Sequence, residues 1–150
     1  MRYFEDYRPG DVHEFTNTIT VDEQRMIEFA TEFDPQPFHV DKDADSPFGG
    51  LIASGWHTAA MMMRLFADHY LSDVASLASP GVDQVRWLVP VRAGDTLRLR
   101  ATVLDARRSA SKPDRGIVRT GVELLNQRDE VVMTLDATNF LLLRDPDQRP

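Results

Sequence analysis

Gly55-Trp-His-Thr-Ala-Ala-Met-Met-Met-Arg-Leu-Phe-Ala-Asp-His-Tyr-Leu71 is the stretch on which the fold turns. Its one glycine stands at the start and it holds no proline, so it reads as a single helix of about 25 Å at 1.5 Å per residue. His57, Arg64 and Asp68 make one narrow polar stripe, while Trp56, Ala59, Ala60, Met62, Met63, Leu65, Phe66 and Tyr70 cover most of the circumference. A helix that is apolar nearly all round is a buried one, so the remainder of the chain is expected to wrap it.

The wrapping material lies downstream, where the period shortens to two. Val82 to Val89 reads as a strand ending at Pro90, and Pro90 to Asp95 as a turn. Thr96 to Asp105 alternates, with Leu97, Leu99, Ala101 and Val103 on one face. Gly116 to Leu125 and Glu130 to Leu143 are further strands, joined by a hairpin turn at Asn126 to Asp129, and Arg144 to Pro150 reads as a frayed tail. Upstream, Val12 to Val21 is strand-like, with His13, Phe15, Ile19 and Val21 on one side. Thr20-Val-Asp-Glu23 has the spacing of a capping box, and Met26, Ile27, Ala30 and Phe33 follow at helical intervals. Consecutive strands with short turns imply an antiparallel sheet. The expectation is one α+β domain over residues 1–150, a sheet wrapped round a central helix.

Composition narrows the function classes. The 150 residues fit a single domain, and no cysteine is present, which excludes disulfide scaffolds, thiolate metal sites and a thiol nucleophile. The formal net charge is −7, from 17 basic and 24 acidic residues without a basic stripe, so duplex nucleic acid is not an expected partner. No apolar run approaches the ~18 residues of a membrane span, and the N-terminus lacks the apolar core of a secretory signal. A cytoplasmic location is the expectation.

The densest chemistry lies in Phe33-Asp34-Pro35-Gln36-Pro37-Phe38-His39. Pro35 stops the first helix, which leaves Asp34 at the negative end of its macrodipole. That placement is expected to raise the carboxyl pKa, as suits a base or a shared proton. The two prolines stiffen the segment enough to hold Asp34 and His39 in a fixed relation. On the residues alone, Asp34 serves equally well as a turn former before proline and His39 as a surface loop residue. A second candidate is Ser54-Gly55 at the start of the long helix, where free N–H groups favour a developing oxyanion and Gly55 permits close approach. A plain N-cap role for Ser54 is compatible with that reading. Asp41, Asp43 and Asp45 imitate the start of a calcium loop, but Ser46 and Ile52 occupy its glycine and glutamate positions. Four scattered histidines have no metal-ligand spacing, so no metal site is expected.

These residues resemble the signature of the MaoC-like (R)-specific enoyl-CoA hydratases of the hot dog fold: Asp, any residue, Asn, Pro, an aliphatic residue, His. Here it runs Asp34-Pro35-Gln36-Pro37-Phe38-His39, with Gln36 in place of Asn and Phe38 in place of the aliphatic residue. The approach Gly49 to Gly55 and the stretch Trp87 to Asp95 are similar too, and the resemblance covers roughly residues 8–143. Ser54 stands where many hydratases carry His, and Ala60 where some carry Ser. The resemblance implies a hot dog fold and reversible hydration of a 2-enoyl thioester to the 3-hydroxyacyl thioester. Asp34 and His39 would activate water, the Gly55 amide would bind the thioester carbonyl, and Ser54 and Gln36 would line the substrate site. It implies an acyl-CoA or acyl-carrier-protein substrate, no further cofactor, and a homodimer or higher homo-oligomer with the acyl tunnel at the contact. A thioesterase on the same fold, or an acyl-thioester-binding module without turnover, are the competing readings.

Overall fold

The computed structural model of the chain describes residues 1–147. A 3-10 turn at Phe4–Asp6 precedes strand β1 (Val12–Thr20), helix α1 (Glu23–Phe33), the short helical turn α2 (Pro37–Val40) and helix α3 (Gly55–Leu65). Strands β2 (Ser76–Trp87), β3 (Thr96–Arg108), β4 (Arg115–Leu125) and β5 (Val131–Leu142) follow. They form one antiparallel sheet in the order β1-β3-β4-β5-β2. The expected α+β architecture, a sheet curled round one long helix, is present.

The core is the inward face of that sheet laid against α3. Leu97, Leu99, Ala101 and Val103 of β3 turn inward together, as their alternation predicts, and meet Met62, Leu65 and Phe66 of α3. After Leu65 the helix widens into a π turn, Phe66–Tyr70, closed by Leu71 N–H donating to the Phe66 carbonyl. The buried Tyr70 hydroxyl shares a hydrogen bond of 3.0 Å with Thr120 of β4, which fastens this end of the helix to the sheet.

Four expectations need correction. The long helix is not buried all round: Trp56 is 61% and Met63 51% exposed, on a flank that a single copy of the chain leaves uncovered. The N-cap of α1 is Asp22, whose carboxylate accepts from Arg25 N–H at 3.0 Å, whereas Thr20 remains in β1 opposite Thr96. Strand β2 starts at Ser76, six residues before Val82. It is an edge strand with irregular register, and an edge tolerates Pro80, which donates no ladder hydrogen bond. Finally, the tail does not fray at once. Arg144 N–H donates to Glu5 and its guanidinium to Asp6, while 148–150 lie outside the described residues.

Candidate active site at the start of α3

Pro35 forbids another helical turn, and Asp34 caps α1 with φ −153°, its N–H still bonded to the Ala30 carbonyl at 2.8 Å. The chain leaves this corner, and Pro37 starts α2 at the position where a missing N–H costs nothing. One short turn later His39 points back at Asp34. The loop that follows returns alongside: Ile52 N–H donates to the Phe38 carbonyl at 3.0 Å and Ala53 N–H to Val91 at 2.8 Å. That brings Ser54, the N-cap of α3, onto the same corner.

Three of the five site residues expected from sequence, Asp34, Ser54 and Gln36, make one hydrogen-bonded group, and a fourth, His39, lies against it. Ser54 Oγ donates to Asp34 Oδ2 at 2.7 Å, and Gln36 Nε2 donates to Asp34 Oδ1 at 2.6 Å. His39 Nε2 lies 3.4 Å from Asp34 Oδ2, with the His39 side chain 7% and the Asp34 side chain 18% exposed. Ser54 keeps its capping role as well, accepting from Trp56 N–H at 3.3 Å. The capping and site readings of Ser54 therefore coexist in one hydroxyl. Gln36 binds the carboxylate of Asp34 and is itself exposed.

The expected rise in the Asp34 pKa is reversed. Hydrogen bonds from Gln36 and then Ser54 hold its carboxyl below the ordinary value, against desolvation, with the nearby His39 adding to the lowering. Two donors at direct contact outweigh the partial charge of a helix end. Asp34 is an ionised acceptor.

His39 Nδ1 lies 2.8 Å from the Ile52 carbonyl. A carbonyl only accepts, so this nitrogen carries a proton, and when the ring is neutral Nε2 presents a lone pair. Nε2 and Asp34 Oδ2 are then two acceptors converging on one point, an arrangement completed by a single hydrogen donor between them. A hollow of about 380 Å³ opens beside this pair, lined by His39, Gly55, Thr58 and Trp87 among others. Gly55 N–H, the first of α3, finds no acceptor among the described residues.

Two participants escaped the sequence reading. The Ile52 carbonyl sets the His39 tautomer, and a backbone group 13 positions away leaves no side-chain signal. Trp87 donates its indole N–H to the Gly55 carbonyl at 2.8 Å. A Cβ on Gly55 would lie 2.6 Å from that ring, so the glycine is required by the indole and not only by an approaching ligand. The one available signal was Trp87 at the head of the motif-like stretch that ends at Asp95.

Residues 5–125 match the family model described as a MaoC like domain. The chain belongs to the MaoC-like dehydratase family. This MaoC-like chain is 41% identical to the MaoC-like dehydratase of Rhodospirillum rubrum, whose crystal structure superposes with a TM-score of 0.89 over 97% of this chain and 99% of that one. It is 33% identical over 110 residues to the 3-hydroxyacyl-thioester dehydratase Z of Mycobacterium tuberculosis, spanning 71% of this chain and 72% of that protein. A double-hotdog protein of the same organism matches over 99% of this chain and 46% of its own length, with a TM-score of 0.72 at 19% identity; that likeness concerns the fold alone. The fold is the hot dog expected from the sequence. Among the described residues no helix is long and apolar enough to cross a membrane.

Proposed function

We propose that this MaoC-like protein reversibly hydrates a 2-enoyl thioester, carried by CoA or acyl-carrier protein, to the 3-hydroxyacyl thioester. The carrying observation is the fixed pair of acceptors, His39 Nε2 and Asp34 Oδ2, 3.4 Å apart beside an open N–H at the start of α3. A water between them gives one hydrogen to each, which orients its oxygen and raises its nucleophilicity. That oxygen bonds to the β-carbon of the substrate. The π electrons move toward the thioester carbonyl, whose oxygen gathers charge against Gly55 N–H and the positive end of α3. His39 Nε2 takes the water proton, Asp34 stabilises the imidazolium, and Nε2 then hands the proton to the α-carbon. The net addition is H and OH, and both side chains return to their starting state. No cofactor beyond the thioester carrier enters this sequence.

The acting unit is a homodimer. Leu77, Val82 and Trp87 are exposed along the edge strand β2, whose outer side is unpaired, and Trp87 meets Trp56 of α3. A strand edge combined with an apolar flank is the surface that a second copy covers.

Incubation with a straight-chain 2-enoyl-CoA separates the chemistries. Loss of the conjugated double bond with the thioester intact is the expected result. Release of free thiol marks a thioesterase, and an unchanged substrate marks a binding module; either overturns the proposal.

A further inference from the structure

On the flank of α3 away from α1, a cavity of about 330 Å³ lies between the helix and strands β2, β4 and β5. Its first wall residue on the helix is Ala59, one turn beyond Gly55, and its last is Phe66, roughly 16 Å from Gly55 at 1.5 Å per residue. The sheet runs the same course. Trp87, which holds the Gly55 carbonyl, pairs with Met133 of β5, then Val82 pairs with Ala137, then Ser76 with Leu141. The walls are methyl and methylene groups almost throughout, and no charged side chain lines them.

Three wall residues, Ser76, Ser79 and Asn139, are polar; Ser79 Oγ is bonded to Gly81, and Asn139 is the buried one. Asn139 lies near the far end, roughly 20 Å along β5 from the Met133 rung. It shares the inner face with Ala137 and Leu141, is only 6% exposed, and lines the cavity. Its amide oxygen is buried without a hydrogen-bond partner among the described residues. A buried, unpaired amide costs free energy that Leu or Val there would not. Ser76, diagonal to it across the ladder, faces the same end.

We infer that this cavity takes the acyl chain of the substrate and that Asn139 selects chains bearing a neutral hydroxyl near their far end. The inference rests on the enoyl-thioester reading and names the substrate class within it. The unpaired oxygen needs a donor, which a hydrocarbon tail does not supply and a hydroxyl does. An ionised carboxylate or ammonium tail is disfavoured, because nothing of opposite charge lines the walls to offset its desolvation.

The test uses a ladder of straight-chain 2-enoyl-CoA thioesters, each with and without a hydroxyl on its last carbon. At one chain length the hydroxylated member should be hydrated with about tenfold higher kcat/KM, the worth of one buried hydrogen bond. Asn139→Leu should erase that preference, leave the plain chains at least as good, and raise the thermal midpoint. Equal rates for the two members at every length, or a preference that survives in Asn139→Leu, overturns the inference. A loss of stability with equal slowing of both members overturns it too, by assigning Asn139 a structural role. Calorimetry with the saturated hydroxylated and plain acyl-CoAs reads tail selection without turnover. Discrimination in Kd without hydration would sink the reaction and leave the tail inference standing, whereas hydration without discrimination does the reverse.

Discussion

On one flank of α3, Asp34, His39, Ser54 and Gln36 converge within 2.6–3.4 Å, and both carboxylate oxygens and His39 Nδ1 have assigned partners. On the other flank, the cavity against β2 and β5 has apolar walls, an exposed edge strand and one amide oxygen with no partner. The first region is held together within one chain: a proline-stiffened corner, a cap and a backbone carbonyl position its four side chains. In the proposed function, the second is filled by a ligand and covered by a second copy. One helix borders both, with its N-terminus at the polar corner and its length along the cavity. Proton transfer tolerates little misplacement, so it sits where local chain geometry sets the distances. Chain selection tolerates more, and in the proposed function it falls to a surface that association completes.

The comparison breaks if the polar corner is dispensable. Asp34→Asn and His39→Gln should each lower kcat by about 10²–10⁴-fold while circular dichroism stays unchanged. The double variant should cost little more than either alone, because residues acting as a unit are not additive. Full activity in Asp34→Asn would show that the residue is only a turn former.

The incompleteness of the other flank is tested at the β2 edge. Leu77→Lys places a charge on an exposed strand edge and should shift the protein from dimer to monomer in light scattering, with turnover falling alongside. A wild-type protein that already scatters as a monomer at micromolar concentration contradicts the assembly proposed here.

Gly55 lies where the two regions meet. Gly55→Ala brings a methyl to 2.6 Å from the Trp87 indole and should push that ring outward, at a cost of about 1–3 kcal/mol. A changed tryptophan emission spectrum and a lowered thermal midpoint are the expected readings. Unchanged emission would mean that the indole is not held against the helix start.

The smallest effect sharpens the electrostatics of the corner. Ser54→Ala removes a cap and one of two donors to Asp34 and should cost about 1–2 kcal/mol at neutral pH. The Asp34 pKa lies below the ordinary 3.8 when folded, so its stabilisation is present above the unfolded value and lost as pH falls through the folded one. Ser54→Ala raises the folded value back toward the ordinary range. The stability gap between wild type and variant should therefore be constant above about pH 5 and narrow in acid to the pH-independent share of the cap. A gap that persists unchanged in acid would assign the whole loss to the cap.

The sequence by itself determined the elements and the side chains of the corner. Strict alternation in Leu97, Leu99, Ala101 and Val103, the helix-stopping Pro35 and the spacing from Asp34 to His39 are local patterns, and local patterns survive folding. It misread what depends on neighbours in space. Asp34 was assigned a raised pKa from its helix end alone, because the donors that lower it arrive from Gln36 across a proline and from Ser54, 20 positions away. Trp56 and Met63 were assigned to the core because an apolar residue looks the same in sequence whether its own chain covers it or leaves it exposed. The His39 tautomer and the unpaired oxygen of Asn139 were decided only by tertiary structure, since a hydrogen bond made or missed is a fact about two positions and the sequence records each one singly.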